Sequence, residues 1–359
     1  MKILLFKTGA IGDVLMTTSL VRQLRKSYPK ERIDYLVGST AAQVLEGNKY
    51  IDEIIKFDEK IFFRKNALGW IRLIEKMRSK EYDIIFVLDK HWIFNYTAKL
   101  FRIPVRIGFD RMGREGKFLT DKIYYGNDKH EINYYLDLLK CLGITPDIKD
   151  FRIDLFVDKN SKKFAENLWK KNHLANKTKE RGGKVIGIAP GGGNNPGETS
   201  GVRNWQIEKY AELILKMLNR GYRIILVGSK SDLPTEKYIL QHIKSKGIKN
   251  ITSDRIISLI GKTTIKESAA IITKCDAIIC NDSGPMHIAA AVNKKVISLF
   301  GPTNPKRKAP LWKESLSIWK DKDRYEPEYE LYGKQPDKKK IFMQDISVED
   351  VLKELSKCI

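Results

Sequence analysis

Apolar residues in this chain come in short blocks separated by helical spacing, and the two patterns alternate. Lys2–Lys7 is an apolar run bounded by lysines, Thr8-Gly9-Ala10-Ile11-Gly12-Asp13 is a glycine-bearing turn, and Val14, Leu15, Thr18, Val21 and Leu24 then recur at helical spacing before Pro29. The same strand-then-helix unit repeats. Strands are predicted at 32–37, 54–57, 82–88 and 105–108, with helices around 68–77, 95–101 and 131–142. From 158 to 183 the chain turns polar and lysine-rich around a helix at 164–171. A second series follows: strands at 185–189, 223–227, 251–252, 276–280 and 296–300, and helices at 207–219, 234–246 and 265–272. Alternation of this kind implies doubly wound parallel sheets. Two Rossmann-like halves are expected, residues 1–165 and 166–345, with a ligand in the cleft between their strand ends. The amphipathic segment 346–359 is expected to be a helix that packs back on the first domain.

Composition narrows the class. With 359 residues, 42% apolar and 31% charged, the chain is long enough for two soluble cores. The start has four apolar residues between lysines, too few for a signal-peptide core, and no apolar run approaches 18 residues, so a cytoplasmic protein without a membrane span is expected. Cys141, Cys275, Cys280 and Cys358 lack metal-like spacing and read as reduced structural thiols. The net charge of +22 is shared, +9 in residues 1–165 and +13 beyond. Such an excess attracts anionic polymers, anionic lipid or phosphorylated substrates without choosing among them.

The stretch with the most chemistry is Asn281-Asp282-Ser283-Gly284-Pro285-Met286-His287. It follows a buried-strand run and opens a helix: Pro285 suits a first turn, and Ala289, Ala290 and Ala291 let the helix lie close to a sheet. Free N–H groups and the positive end of a helix macrodipole at a strand's carboxyl end suit a phosphate. An ordinary strand–turn–helix connection would read the same way. Asp13 likewise stands at a helix start, where the dipole favours its ionised form; it is either a reactive carboxylate or one that only stabilises its helix.

Gly12-Asp13-Val14-Leu15-Met16-Thr17-Thr18, the loop before Arg203-Asn204-Trp205, Leu259-Ile260-Gly261-Lys262-Thr263-Thr264-Ile265, the 281–287 motif and Phe300-Gly301-Pro302-Thr303-Asn304-Pro305 occur in an order that resembles glycosyltransferase family nine. These are the ADP-heptose:lipopolysaccharide heptosyltransferases and their relatives. The resemblance implies a GT-B fold, two Rossmann-like domains with parallel sheets facing a central cleft. It further implies an inverting transfer of heptose from ADP-heptose to a lipopolysaccharide core or related glycan, with no metal and no cofactor beyond the nucleotide-sugar co-substrate. By resemblance Asp13 is the general base, and Gly192, Gly193, Arg203, Asp282, Ser283, Gly284 and His287 form the donor site, with Arg203, Ser283, Gly284 and His287 on the diphosphate and Asp282, an acceptor, orienting a sugar hydroxyl or the loop itself. Gly228, Lys262 and Thr263 then frame its adenine and ribose, although a turn glycine and a helix-cap threonine explain them as well.

Residues 60–80 carry Lys60, Arg64, Lys65, Arg72, Lys76, Arg78 and Lys80 against Glu75, with Phe62, Phe63 and Trp70 interleaved. Such a segment suits an anionic acceptor or the face of an inner membrane; alternatively it is a solvated helix whose Leu68, Ile71 and Ile74 join the core. Gly12, Arg64, Lys65, Arg111, Arg114 and His130 are the acceptor candidates. The expected partners are a nucleotide sugar and an anionic lipid-linked or core oligosaccharide, with peripheral contact at the cytoplasmic membrane face and no specific nucleic acid. The triplet Asp321-Lys322-Asp323 reads as surface, away from any metal role. Two rivals remain: a nucleotide-sugar epimerase of the same architecture, and a non-catalytic protein binding anionic glycan or nucleic acid.

Overall fold

The computed structural model describes the whole chain except residues 64–65, 112, 175–182, 193–200, 247–254, 293 and 338. It divides into two compact units, Met1–Phe156 and Val157–Ile359. The division falls just ahead of the helix Lys159–Lys171, which belongs to the second unit, whereas the polar composition suggested a boundary at 165.

In the first unit the strands are β1 (Lys2–Lys7), β2 (Arg32–Gly38), β3 (Glu53–Phe57), β4 (Ile84–Val87), β5 (Val105–Arg111) and β6 (Asp121–Tyr125). They form one parallel sheet in the order β3-β2-β1-β4-β5-β6. The second unit has β7 (Val185–Ala189), β8 (Arg223–Leu226), β9 (Ile256–Ser258), β10 (Ala277–Asn281), β11 (Val296–Phe300) and β12 (Ser315–Trp319). Its order is β12-β11-β10-β7-β8-β9, again parallel throughout. Counted from the first strand of each unit, both follow the Rossmann order 3-2-1-4-5-6.

Central strands of such sheets are covered on both faces, so they read as continuous apolar runs. Ile3, Leu4, Leu5 and Phe6 are fully buried, as are Ile278, Ile279 and Cys280. Phe6 anchors one side of the first core, its ring 5.9 Å from those of Phe57, Phe94 and Phe101. Burying a side chain of this size is worth about 1.5–3 kcal/mol. The helix Ile11–Ser27 is buried along almost its whole length because the helix Glu131–Asp137 packs over it.

The helix Val348–Cys358 belongs to the second unit, not the first as the sequence suggested. Val348, Val351, Leu352 and Leu355 lie in that unit's core, and the helix packs on the helix Ile207–Asn219 and on β11 and β12. Its apolar stripe matches the inward face of that neighbour. The strand expected at 251–252 lies outside the described residues, and β9 forms a few positions later.

Candidate active site

In a sheet of Rossmann order the chain leaves neighbouring strands in opposite directions at one point, which opens a crevice beyond their carboxyl ends. That point lies between β1 and β4 in the first unit and between β7 and β10 in the second. Polar residues gather at both.

In the first unit, β1 ends at Lys7 and the helix Ile11–Ser27 starts four residues on, with Gly12 and Asp13 in its first turn. Gly12 is buried and Asp13 half-buried. The intervening loop is tied to the neighbouring strand end. Asp89, just past β4, pairs through one oxygen with the Lys7 ammonium and accepts the Thr8 N–H at 2.7 Å through the other. Lys7 is 3% exposed, so this ion pair is almost dry. Next to it the Tyr35 hydroxyl shares a 2.7 Å hydrogen bond with Thr17. Burial, reinforced by the negative charges of Asp89 and Asp13, holds the Tyr35 phenol well above its usual pKa.

A second group, absent from the sequence-based candidates, stands beside the first. Lys90 pairs with the fully buried Glu131 at 2.8 Å, and Glu131 also accepts the Tyr125 hydroxyl. The Lys90 ammonium lies 4.8 Å from the Tyr125 ring centre, 5.2 Å from that of Tyr135 and 5.7 Å from that of Phe109. A cation against aromatic faces gains from their quadrupoles, more so when desolvated. Lys90 also donates to the Tyr135 hydroxyl at 3.4 Å. Burial, followed by the charges of Asp13 and Glu131, pushes the Tyr135 phenol well up.

The acceptor candidates are less tightly assembled. Arg111 ends β5 in an ion pair with Glu115, Arg114 is exposed in the following turn, and His130 caps the helix Glu131–Asp137 by accepting the Ile132 N–H at 3.2 Å. Arg64 and Lys65 lie outside the described residues. On the helix Ala67–Arg78, Ile74 is buried as expected of a core position, but Leu68 is 69% and Ile71 48% exposed. Both therefore face outward among Arg72, Lys76 and Arg78.

In the second unit, β10 ends at Asn281 and the helix Gly284–Ala291 opens with Pro285 in its first turn. The Ser283 hydroxyl donates to the Asn281 carbonyl at 3.2 Å rather than capping the helix, so the first N–H groups are not closed off by that side chain. His287, one turn in, is 6% exposed. Asp282 accepts the Thr303 hydroxyl at 2.8 Å and faces Arg203 at 3.6 Å, which fixes both the 300–305 loop and a guanidinium at this helix start.

Asn281, fully buried, holds the loops together. Its carbonyl oxygen accepts the Trp205 N–H at 3.2 Å and the Tyr210 hydroxyl at 2.9 Å, and its amide donates to the Pro190 carbonyl at 3.0 Å. After β7 the backbone passes close beneath other side chains. A Cβ on Gly191 would meet an Asp232 carboxylate oxygen at 2.0 Å, and one on Gly192 the Asn204 amide oxygen at 2.1 Å, so a larger residue at either position would push that side chain aside. Gly228 turns past Asp232 in the same way. Gly193 lies outside the described residues. Lys262 bends back onto the Ser258 carbonyl at 3.0 Å and Thr263 shares a hydrogen bond with Ser268, while the neighbouring Thr264 caps its helix.

Asp321, expected at the surface, is instead fully buried. It accepts the Met343 N–H at 2.8 Å and pairs with Arg324, which closes the 342–346 loop onto the sheet. All four cysteines are free thiols, and burial pushes that of Cys275 up to about 12.

Two six-stranded parallel sheets in Rossmann order, with polar groups gathered at the switch point of each, are the architecture of the GT-B transferases. The sequence profile of glycosyltransferase family 9 (heptosyltransferase) matches residues 70–332, and the chain belongs to that family. The lipooligosaccharide heptosyltransferase 2 of Haemophilus influenzae is 27% identical over 315 residues, 87% of this chain and 86% of that one. Among solved structures, the E. coli ADP-heptose lps heptosyltransferase II is 25% identical, with a TM-score of 0.72 over 100% of this chain and 98% of its own. A family 9 glycosyl transferase from Veillonella parvula shares the fold at 23% identity, with a TM-score of 0.77 over 99% and 96% of the two chains. The protein is a glycosyltransferase.

Proposed function

We propose that the protein transfers heptose from ADP-heptose to a lipopolysaccharide core sugar with inversion at the anomeric carbon. What carries the reading is a family match over residues 70–332 together with a helix-start carboxylate at one switch point and a helix start beside a fixed guanidinium at the other. Asp13 takes the proton of the acceptor hydroxyl, and that oxygen attacks the anomeric carbon from the face opposite the diphosphate. A positioned base of this kind contributes roughly 10²–10⁴ in rate. The departing ADP gathers negative charge. Arg203, the N–H groups of Ser283 and Gly284, and His287 receive it, and such preplaced donors stabilise the transition state more than the ground state. Asp282 keeps Arg203 in place. Gly192 and Gly228 let the backbone approach the nucleotide, with Lys262 and Thr263 at its edge. No metal ion is assigned to the donor site, because the cationic groups there serve the diphosphate directly.

The acceptor is lipid-linked, and the first unit meets it at an anionic membrane face. Among the described residues no helix is long and apolar enough to cross a membrane. The exposed Leu68 and Ile71 and the basic residues around them suit peripheral contact, and Trp92, 46% exposed, starts the neighbouring helix Trp92–Leu100. The two helices are joined by the Trp70 indole, which donates to Thr97 at 3.1 Å.

Incubating the purified protein with ADP-heptose and a truncated core acceptor tests the transfer, read as ADP release and as the mass of the product. Asp13→Asn should abolish product while ADP binding by calorimetry stays within about twofold, since the variant loses only an acid–base group; normal turnover in it would remove Asp13 from the mechanism. Leu68→Glu/Ile71→Glu should lose co-sedimentation with anionic vesicles yet keep its rate on the soluble acceptor; undiminished vesicle binding would sink the membrane assignment.

A further inference from the structure

We propose that Glu330 is a positioning residue for the donor site: together with Tyr325 and Trp319 it clamps the 301–304 loop, and through Thr303 and Asp282 that clamp sets the place of Arg203. The proposal rests on the reading of Arg203 as a ligand of the departing diphosphate, and its test separates the two.

Every step of the path is a direct contact within the second unit. Residues 301–304 run between the end of β11 and the short helix Pro305–Lys308 without regular structure of their own, so their position depends on what they are tied to. At one end Trp319, the last residue of β12, donates its indole N–H to the Gly301 carbonyl at 2.9 Å. At the other end the Asn304 N–H reaches the Glu330 carboxylate at 3.3 Å. Between these ties Thr303 donates its hydroxyl to Oδ2 of Asp282 at 2.8 Å, and the same oxygen faces the Arg203 guanidinium at 3.6 Å. An acidic side chain beside a diphosphate would repel it, so the orientation of Asp282 matters. Held by Thr303, its charge is turned toward the guanidinium.

The clamp is itself braced. The Tyr325 ring meets that of Trp319 edge-on with centres 5.9 Å apart, and its hydroxyl donates to Glu330 at 2.7 Å, so Tyr325 links the two ties. Arg307 lies 3.5 Å from the same Glu330 oxygen, with each side chain 2% exposed. Burial pushes the Glu330 carboxyl up, and Arg307 and then Lys308 draw it back. A buried pair of this kind adds little net stability over apolar packing, whereas its directional contacts fix a geometry. Gly301 leaves the loop little room on its other side, where a Cβ would meet the side chains of Met343 at 2.8 Å and Phe342 at 3.0 Å.

The test compares Glu330→Ala, which cuts the tie to Asn304, with Glu330→Gln, which keeps an oxygen able to accept that N–H, and with Tyr325→Phe, which keeps the ring but removes the hydroxyl. ADP binding is measured by calorimetry and transfer kinetics with both substrates varied, with melting temperature as a control for folding. Glu330→Ala should raise the ADP Kd and the donor KM about tenfold and leave the acceptor KM unchanged, and Tyr325→Phe should raise the ADP Kd about threefold. Glu330→Gln should recover most of the loss. Adding Thr303→Val to Glu330→Ala should cost little more than either change alone, because both act through one loop. A folded Glu330→Ala that binds ADP within about twofold of wild type overturns the proposal whatever its melting temperature; so does an equal loss toward donor and acceptor, the mark of general loosening. Should Glu330→Ala fail to fold, an unchanged ADP Kd in Tyr325→Phe overturns it. Undiminished ADP binding in Arg203→Met instead removes the reading of the donor site beneath it. Weakened binding in Arg203→Met beside unchanged binding in Glu330→Ala refutes the positioning role alone.

Discussion

Replacing Asn281 by leucine removes a fully buried amide while keeping nearly its volume, so the effect isolates hydrogen bonding from packing. Three partners lose their contact: the Trp205 N–H, the Tyr210 hydroxyl and the Pro190 carbonyl. Each orphaned buried group costs about 1–3 kcal/mol, and partial relaxation brings the sum to about 3–5 kcal/mol. For a unit of the size spanned by Val157–Ile359, 1 kcal/mol moves the melting temperature by about 2–4 °C, so a loss of roughly 10 °C is expected in scanning calorimetry. Donor affinity should fall as well, because the three partners belong to the loop after β7, the Trp205 turn and the following helix, which flank the helix start at Ser283. The first unit contains none of these groups, so any transition belonging to it should not move. A destabilisation below about 1 kcal/mol would mean that water or rotated neighbours satisfy the three partners, and that Asn281 does not hold the donor loops.

Two further perturbations address the first unit. Asp89→Asn leaves the Lys7 ammonium, 3% exposed, facing a neutral amide; stability in urea should fall by about 3 kcal/mol, and transfer should slow because the loop leading to Asp13 loses its anchor. The Asp150 carboxyl is held at about 2 by Arg152 and Arg22, below the usual 3.9 or so of an unfolded chain. Its contribution is therefore complete above about pH 4 and fades as pH falls toward 2. The gap in urea midpoint between wild type and Asp150→Asn should narrow over that window; a constant gap would deny the linkage.

How much of this could be read from the sequence depended on how symmetrically each segment is buried. The runs of β1, β7 and β11 match their strands residue for residue, because both faces are covered and the one polar side chain between their ends, Ser298 of β11, is small and hydrogen-bonded to the next strand. The edge strands β6 and β12 escaped notice. Asp121–Tyr125 has one buried position at its end and Ser315–Trp319 places its one buried side chain fourth, so neither shows an apolar run nor a clean alternation. Motif residues at strand ends, such as Asp13 and Asp282, stood out because local turn chemistry marks them. Lys90 and Glu131 did not, since 41 positions separate them and their meeting depends on β4, β5 and β6 lying side by side. Asp321 was misread because a lysine-rich stretch looks like surface, whereas its carboxylate closes a distant loop.

The helix Val348–Cys358 has a consequence for how the protein is made. The first unit has every strand of its sheet once the chain has passed Tyr125, and its compact body ends at Phe156. The second unit is different: Trp205 donates to the carbonyl of Ile346 at 3.0 Å, and Val351 and Leu355 sit in its core. As the chain emerges from the ribosome, a complete first unit is thus joined for some time to an unfinished second one with its apolar surface open. The second unit can close its core only with the residues around 346–358, so a product of premature termination keeps a complete first unit and lacks a stable second one.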